Sequence, residues 1–216
     1  MRKLFVLAVV LVLGLSLIAC GSGNGNSGGS SSSDKFEYGN GTDYIANNLK
    51  GDYSITYKYS SSGDDFLEIT CARTSSGYYY KYAELEVLYI KNGSKYDTYY
   101  NITGNGFTKV TWIDPKTEDD VKSEFMFITG FMTHYGSNAS DMTKIGSETV
   151  AGRNCDKYKY AWSYLGSSVQ YTYCIDKATG VCLKYTYDVA SGGQSGNLSF
   201  ECTAFKTSGI TLPSYN

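Results

Sequence analysis

Histidine is almost missing from this sequence, with His134 alone among 216 residues. No Cys-x-x-Cys pair occurs either, and the Gly-x-Ser-x-Gly match at Gly25-Asn26-Ser27-Gly28-Gly29 lies in a tract of Gly, Ser and Asn. The two absences remove the usual donor sets of a zinc site, and a Gly-x-Ser-x-Gly match with no apolar strand before it and no helical pattern after it is not the nucleophile elbow of a serine hydrolase. Neither a metal nor another cofactor is expected. His134 falls near the C-terminal end of a helical pattern, where an imidazolium favours the negative helix end. The carboxylate groups Asp64-Asp65 and Glu118-Asp119-Asp120 follow a serine-rich turn and open a helix, which are structural positions. A glycosidase needs only two distant acids and leaves no motif, so these absences bear on the motif-bearing enzymes. A non-catalytic protein is the expectation. An excess of positive charge is missing too, since 19 basic side chains face 21 acidic ones. Without clustered lysine and arginine there is no electrostatic footprint for nucleic acid.

Long apolar runs are confined to one place. After Arg2 and Lys3, residues 4–18 carry no charge, a length too short to span a bilayer and suited to the core of a secretory signal. Leu17-Ile18-Ala19-Cys20 follows and resembles the lipobox of bacterial lipoproteins. That resemblance implies cleavage after residue 19, a diacylglyceryl group on the Cys20 thiol, and acylation of the new amine. A membrane anchor through lipid is implied, with palmitate-type chains. The implied location is the cell envelope, outside the cytoplasm: the outer membrane of a two-membrane cell, or the outer face of a single membrane. Two or more acyl chains, at about 0.8 kcal/mol per buried methylene, hold a protein without any transmembrane helix. Residues 20–42 are rich in Gly, Ser and Asn with little apolar, a composition that does not repay its ordering entropy and reads as a tether without packing. Residues 43–216 remain as one domain, expected to be monomeric.

What this domain has in abundance is alternation. Tyr53, Ile55, Tyr57 and Tyr59 share one side of a strand, and Leu67, Ile69 and Cys71 one side of the next. Gly63, residues 75–77, Asn92-Gly93 and Asn105-Gly106 punctuate the runs as hairpin turns do. Further strands are predicted at 77–82, 85–91, 95–102 and 106–113. The period changes at Asp114-Pro115. Thr117 caps a helix with Asp120 three residues on, and Val121, Phe125, Ile128, Met132 and Tyr135 recur at spacings of three and four, with Phe127 and Phe131 widening the face. This helix is expected over 117–135, with a weaker one at 42–49. Strands return at 154–162, 167–176, 180–189 and 196–206. The fold class is α+β, mainly antiparallel β: a curved, unclosed barrel with one main helix on its concave face.

The runs IGSETVAGRNCDKYKY (145–160), CIDKATGVCLKY (174–185) and LSFECTAFKTSGITLP (198–213) resemble the closing strands of the LolA-like superfamily of outer-membrane lipoprotein carriers. That family implies a half-barrel plugged by helices, with acyl chains held on the concave side. On this chain the resemblance points to an apolar or amphipathic ligand, possibly lipid. Its place would be between Phe125, Ile128 and Phe131 of the helix and the inner faces Tyr158, Tyr160, Trp162 and Val169, Tyr171, Tyr173. The alternative use of 22 tyrosines is an envelope interaction protein that recognises glycan or protein through Tyr-rich strands.

With Cys20 acylated, Cys71, Cys155, Cys174, Cys182 and Cys202 form an odd set. By alternation Cys155, Cys174 and Cys182 stand opposite the Tyr and Trp faces. A hairpin symmetric about residues 163–166 puts Cys155 directly across from Cys174, and Cys174 and Cys182 are likewise symmetric about Ala178. Only one of these disulfides can form, and the longer loop favours Cys155–Cys174. Pairing and simple burial both remain open for Cys71 and Cys202.

Overall fold

The computed structural model describes residue 38 and residues 51–61, 64–102, 104–124 and 141–215. The signal segment, Cys20, the short helix at 42–49, the side chains of Asp64 and Asp65, and Phe125, Ile128, Phe131 and His134 lie outside the described residues.

Eleven strands form one sheet: β1 (Tyr53–Ser61), β2 (Asp64–Thr74), β3 (Gly77–Tyr82), β4 (Leu85–Asn92), β5 (Lys95–Asn101), β6 (Thr108–Lys109), β7 (Thr143–Val150), β8 (Arg153–Tyr164), β9 (Ser167–Asp176), β10 (Cys182–Ser191) and β11 (Gln194–Lys206). The spatial order is β6-β5-β4-β3-β2-β1-β11-β10-β9-β8-β7. Two antiparallel meanders are thus joined where the first strand pairs with the last, Ile55 across from Phe205 and Tyr59 from Phe200. Among the described residues β6 and β7 are the outermost strands and do not pair with each other, so the sheet is unclosed. It also curls: Glu148 on β7 reaches Lys184 on β10, and Arg153 at the start of β8 lies 4.7 Å over the Phe205 ring of β11.

The expected alternation in β1 is present, with Tyr53, Ile55, Tyr57 and Tyr59 buried. Register carries that side across β2 to β5 through Ile69, Cys71, Tyr78, Tyr80, Val87, Tyr89 and Tyr100. Helix α1, described over 118–124, lies on this half and places Val121 in the same core. Its start is the expected cap: the Asp120 amide donates to Thr117 Oγ1 at 3.2 Å, and the Thr117 amide donates back to Asp120 Oδ2 at 3.0 Å. Glu124 accepts hydrogen bonds from Tyr89 on β4 and from Lys116, fixing the helix to the sheet. On the other side of this half, Leu88, Tyr99 and Phe107 form a small core that the C-terminal Leu212 closes.

Four expectations need correction. The strand at 106–113 shrinks to Thr108–Lys109, because Gly106 takes a φ of 102° and Phe107 turns in to pack beside Tyr79. β7 is an additional strand; its side chains are mostly exposed, so no apolar alternation marks it. The hairpin β8–β9 turns on Leu165 and Gly166, both with positive φ, two residues later in register than expected. Cys155 therefore faces Asp176, and Lys157 faces Cys174. The two cysteines are diagonal neighbours, and both are free thiols. Lastly, the stretch read as tether without packing ends in a contact: Tyr38 donates to Asp156 Oδ2 at 2.9 Å and meets the Tyr158 ring edge-on.

Candidate functional site

The joining of β1 to β11 extends the apolar side of β1 into the C-terminal half. Register lines up Tyr59, Phe200, Tyr185, Tyr173 and Tyr158 across β1, β11, β10, β9 and β8. The adjacent row holds Leu198, Tyr187, Tyr171 and Tyr160, and the one beyond it Gly196, Val189, Val169 and Trp162. Ring centroids are 4.2 Å apart for Tyr59–Phe200, 5.2 Å for Tyr185–Tyr173, 5.1 Å for Tyr187–Tyr171 and 5.9 Å for Tyr171–Tyr160. These separations lie in the range of attractive ring pairs. The rows form one continuous aromatic face.

The face grades from closed to open. Tyr158 and Tyr173 are buried with Met142, Ile175 and Cys182, whereas Tyr160, Tyr171, Tyr185 and Tyr187 are half-buried. Burial pushes the phenols of Tyr173 and Tyr185 far above the ordinary tyrosine range, so these rings stay neutral at any physiological pH. Of the residues predicted to line a cleft, Tyr158, Tyr160, Trp162, Tyr171 and Tyr173 do share this face. Tyr158 is a floor residue, and Trp162 stands at the far rim. The described turns of α1 sit on the other half of the sheet, against Tyr89, so the helix side of the expected cleft lies outside the described residues. Tyr59, Tyr185, Tyr187 and Phe200 were missed. The signal was there, in the alternation Tyr185-Thr186-Tyr187 and in Phe200, once β11 is paired with β1.

Alternate side chains of the same strands make a polar row. Glu148 accepts from Lys157 at 2.8 Å and from Lys184 at 3.1 Å, and Lys184 also pairs with Glu201 at 3.1 Å. The hydrogen bonds from Lys157 and Lys184 bring the Glu148 carboxyl down to about 2. Asp156, which burial alone would push up, is instead held below the ordinary carboxylate range by Lys144, Lys177 and Tyr38. Asp176 is closed off similarly, accepting from Arg153 at 2.7 Å and from the Thr179 amide at 3.0 Å. Glu148 and Asp156 are held ionised and all three acids are occupied by basic partners, which suits structural ion pairs better than proton transfer.

The thiols are as inert. Burial pushes Cys71, Cys174 and Cys202 up to about 12 and Cys155 to about 11, leaving no thiolate for nucleophilic work near neutral pH. Cys182 departs from its expected side. An extra residue in β10 between Cys182 and Lys184 shifts the register, and Cys182 packs among Tyr158, Tyr173 and Ile175. Among the described residues no group of three or more His, Cys, Asp or Glu is placed to hold a metal ion. No helix among them is long and apolar enough to cross a membrane.

An unclosed antiparallel half-barrel with an aromatic sheet face is the class that the fold and this face define. No family model matches the sequence, and no curated protein matches it. Among solved structures the chain is similar to MucB, at 12% identity and a TM-score of 0.40, over 79% of this chain and 57% of that one. It thus spans little more than half the length of the MucB chain. It is also similar to an outer membrane lipoprotein-sorting protein domain from Vibrio parahaemolyticus, at 9% identity and a TM-score of 0.24, over 81% of this chain and 95% of that one.

Proposed function

We propose that this protein is a non-catalytic bacterial lipoprotein, anchored through Cys20 in the cell envelope, that holds an apolar or amphipathic ligand against its aromatic face. The observation that carries the reading is the pair of rows running from Tyr59 to Tyr158 and from Leu198 to Tyr160, neutral, contiguous and graded from buried floor to half-open rim. A ligand site of this kind is mostly apolar and aromatic with few polar groups. Here the hydroxyl tips of Tyr160, Tyr171, Tyr185 and Tyr187 would meet the polar end of an amphiphile, and the floor its chain.

Native mass spectrometry of protein extracted gently from membranes tests the ligand. Bound lipid-sized mass is expected in the wild type and reduced in Tyr171→Ala. Apo mass alone across preparations overturns the reading. The anchor is tested separately by labelled palmitate, which enters the wild type and not Cys20→Ser; incorporation into that variant at wild-type level removes the anchor. The half-open ring tips also suit stacking on sugar rings. A glycan array on which binding falls with Tyr187→Ala would move the assignment to that alternative.

A further inference from the structure

At its far rim the aromatic face runs into the β8–β9 hairpin, and there the molecule exposes apolar side chains the fold does not use. Trp162 is 43% exposed, Tyr164 67% and Leu165 86%. Leu165 stands at a φ of 47° beside Gly166 at 79°. A two-residue turn with both φ values positive ordinarily takes Asn-Gly or Gly-Gly, since a larger side chain strains in that region. A leucine there costs conformational energy and returns no packing within the domain.

The surroundings carry little charge: Asp188 lines a cavity with Trp162 and Val169, where Asn197 donates to it. No Asp, Glu, Lys or Arg occurs between Lys159 and Asp176, and none between Asp188 and Glu201 in the neighbouring β10–β11 hairpin. Elsewhere the same strands carry the Glu148, Lys157, Lys184 and Glu201 row, so the absence is local to this end of the sheet. Three apolar side chains on a narrow tip are too few for the core of a stable protein interface, which takes roughly 800 Å² from each partner. Tryptophan and tyrosine favour the headgroup level of a bilayer, with an aliphatic side chain able to enter the acyl region.

We propose that the β8–β9 hairpin tip is a membrane-insertion wedge, with Leu165 in the acyl region and Trp162 and Tyr164 at the headgroup level of a bilayer. The absence of lysine and arginine from both hairpin ends makes zwitterionic lipid a sufficient partner. Trp162 also ends the third row of the aromatic face, so Leu165, which belongs to no row, is the side chain whose substitution separates the wedge from a ligand on that face.

Trp162 reports on it directly, because the only other tryptophan is Trp112, itself exposed and replaceable by Phe. The full chain carrying Trp112→Phe is mixed with phosphatidylcholine vesicles whose acyl chains are brominated near the headgroup. Quenching of Trp162, and not total vesicle binding, is the readout, so the N-terminal segment does not enter the result. At least twofold quenching is expected, equal in low and high salt. Leu165→Asn, which suits the turn and keeps the hairpin folded, should reduce the quenching at least fivefold. Trp162 that stays open to aqueous acrylamide and untouched by bromine overturns the wedge. So does quenching that is indifferent to Leu165→Asn, and so does quenching that vanishes in high salt.

Discussion

The two halves of the sheet begin from the same material and end differently. From β2 to β5 the apolar side is covered by α1, which sets Val121 into it and ties Tyr89 and Lys116 together through Glu124, with Tyr80, Tyr82 and Tyr100 half-buried around that contact. From β8 to β11 the same side also carries aromatic rings, and there Tyr160, Tyr171, Tyr185 and Tyr187 are half-buried with no described helix over them. Strand propensity explains tyrosine in both halves. It does not explain why, among the described residues, α1 covers one set of rings and not the other, and that difference is why the C-terminal half is assigned the ligand.

The contrast can be broken by substitution. Tyr89→Ala, in the half that α1 covers, removes a fully buried ring together with its bond to Glu124 and should cost about 3–5 kcal/mol in chemical denaturation. Next comes Gly77→Ala. A Cβ there would meet the Tyr89 carbonyl oxygen at 2.0 Å, so β3 and β4 must part, for about 1–3 kcal/mol. Tyr57→Phe probes the joint between the halves. Its hydroxyl donates to the Cys182 carbonyl at 2.6 Å, and losing that bond should cost about 1 kcal/mol. Tyr187→Ala, in the C-terminal half, should change stability least, by under about 1 kcal/mol, and its loss should appear in ligand binding. If Tyr187→Ala destabilises as much as Tyr89→Ala, the two halves are equally closed and the comparison fails.

The polar row gives a pH test of the same half. Glu148 ordinarily titrates at 4.5 and is brought down to about 2 in the fold. A lowered folded pKa contributes stability that is complete above 4.5 and lost as pH falls toward 2. Between those limits the wild type should lose stability faster than Glu148→Gln when followed by melting temperature against pH. Parallel curves would mean that Lys157 and Lys184 do not hold the carboxylate.

Much of this was legible in the residues, and the failures have physical causes. Alternation found β1 because one side is buried along its length, and the Thr117 cap was readable because a capping box is local. β7 left no signal, since an exposed edge strand has no buried side to alternate. The β8–β9 register slipped because residues 163–167 offer two turn centres, and the actual one places leucine where asparagine or glycine is usual. A single extra residue in β10 moved Cys182 onto the tyrosine side, and bulges carry no composition mark of their own. For the site, five predicted sheet residues share one face, but its continuation to Tyr59 stayed hidden because Tyr59 meets Phe200 only once the last strand pairs with the first.

The central claim is that the aromatic face of the C-terminal half, and not the face that α1 covers, takes an apolar ligand. A dansyl-labelled fatty acid titrated into the full chain tests it most directly, read by its emission shift in the wild type, Tyr171→Ala, Tyr187→Ala and Tyr80→Ala. Saturable binding to the wild type and to Tyr80→Ala, weakened at least tenfold in the other two, is the predicted result. Absence of saturable binding, or equal weakening by Tyr80→Ala, would contradict the claim.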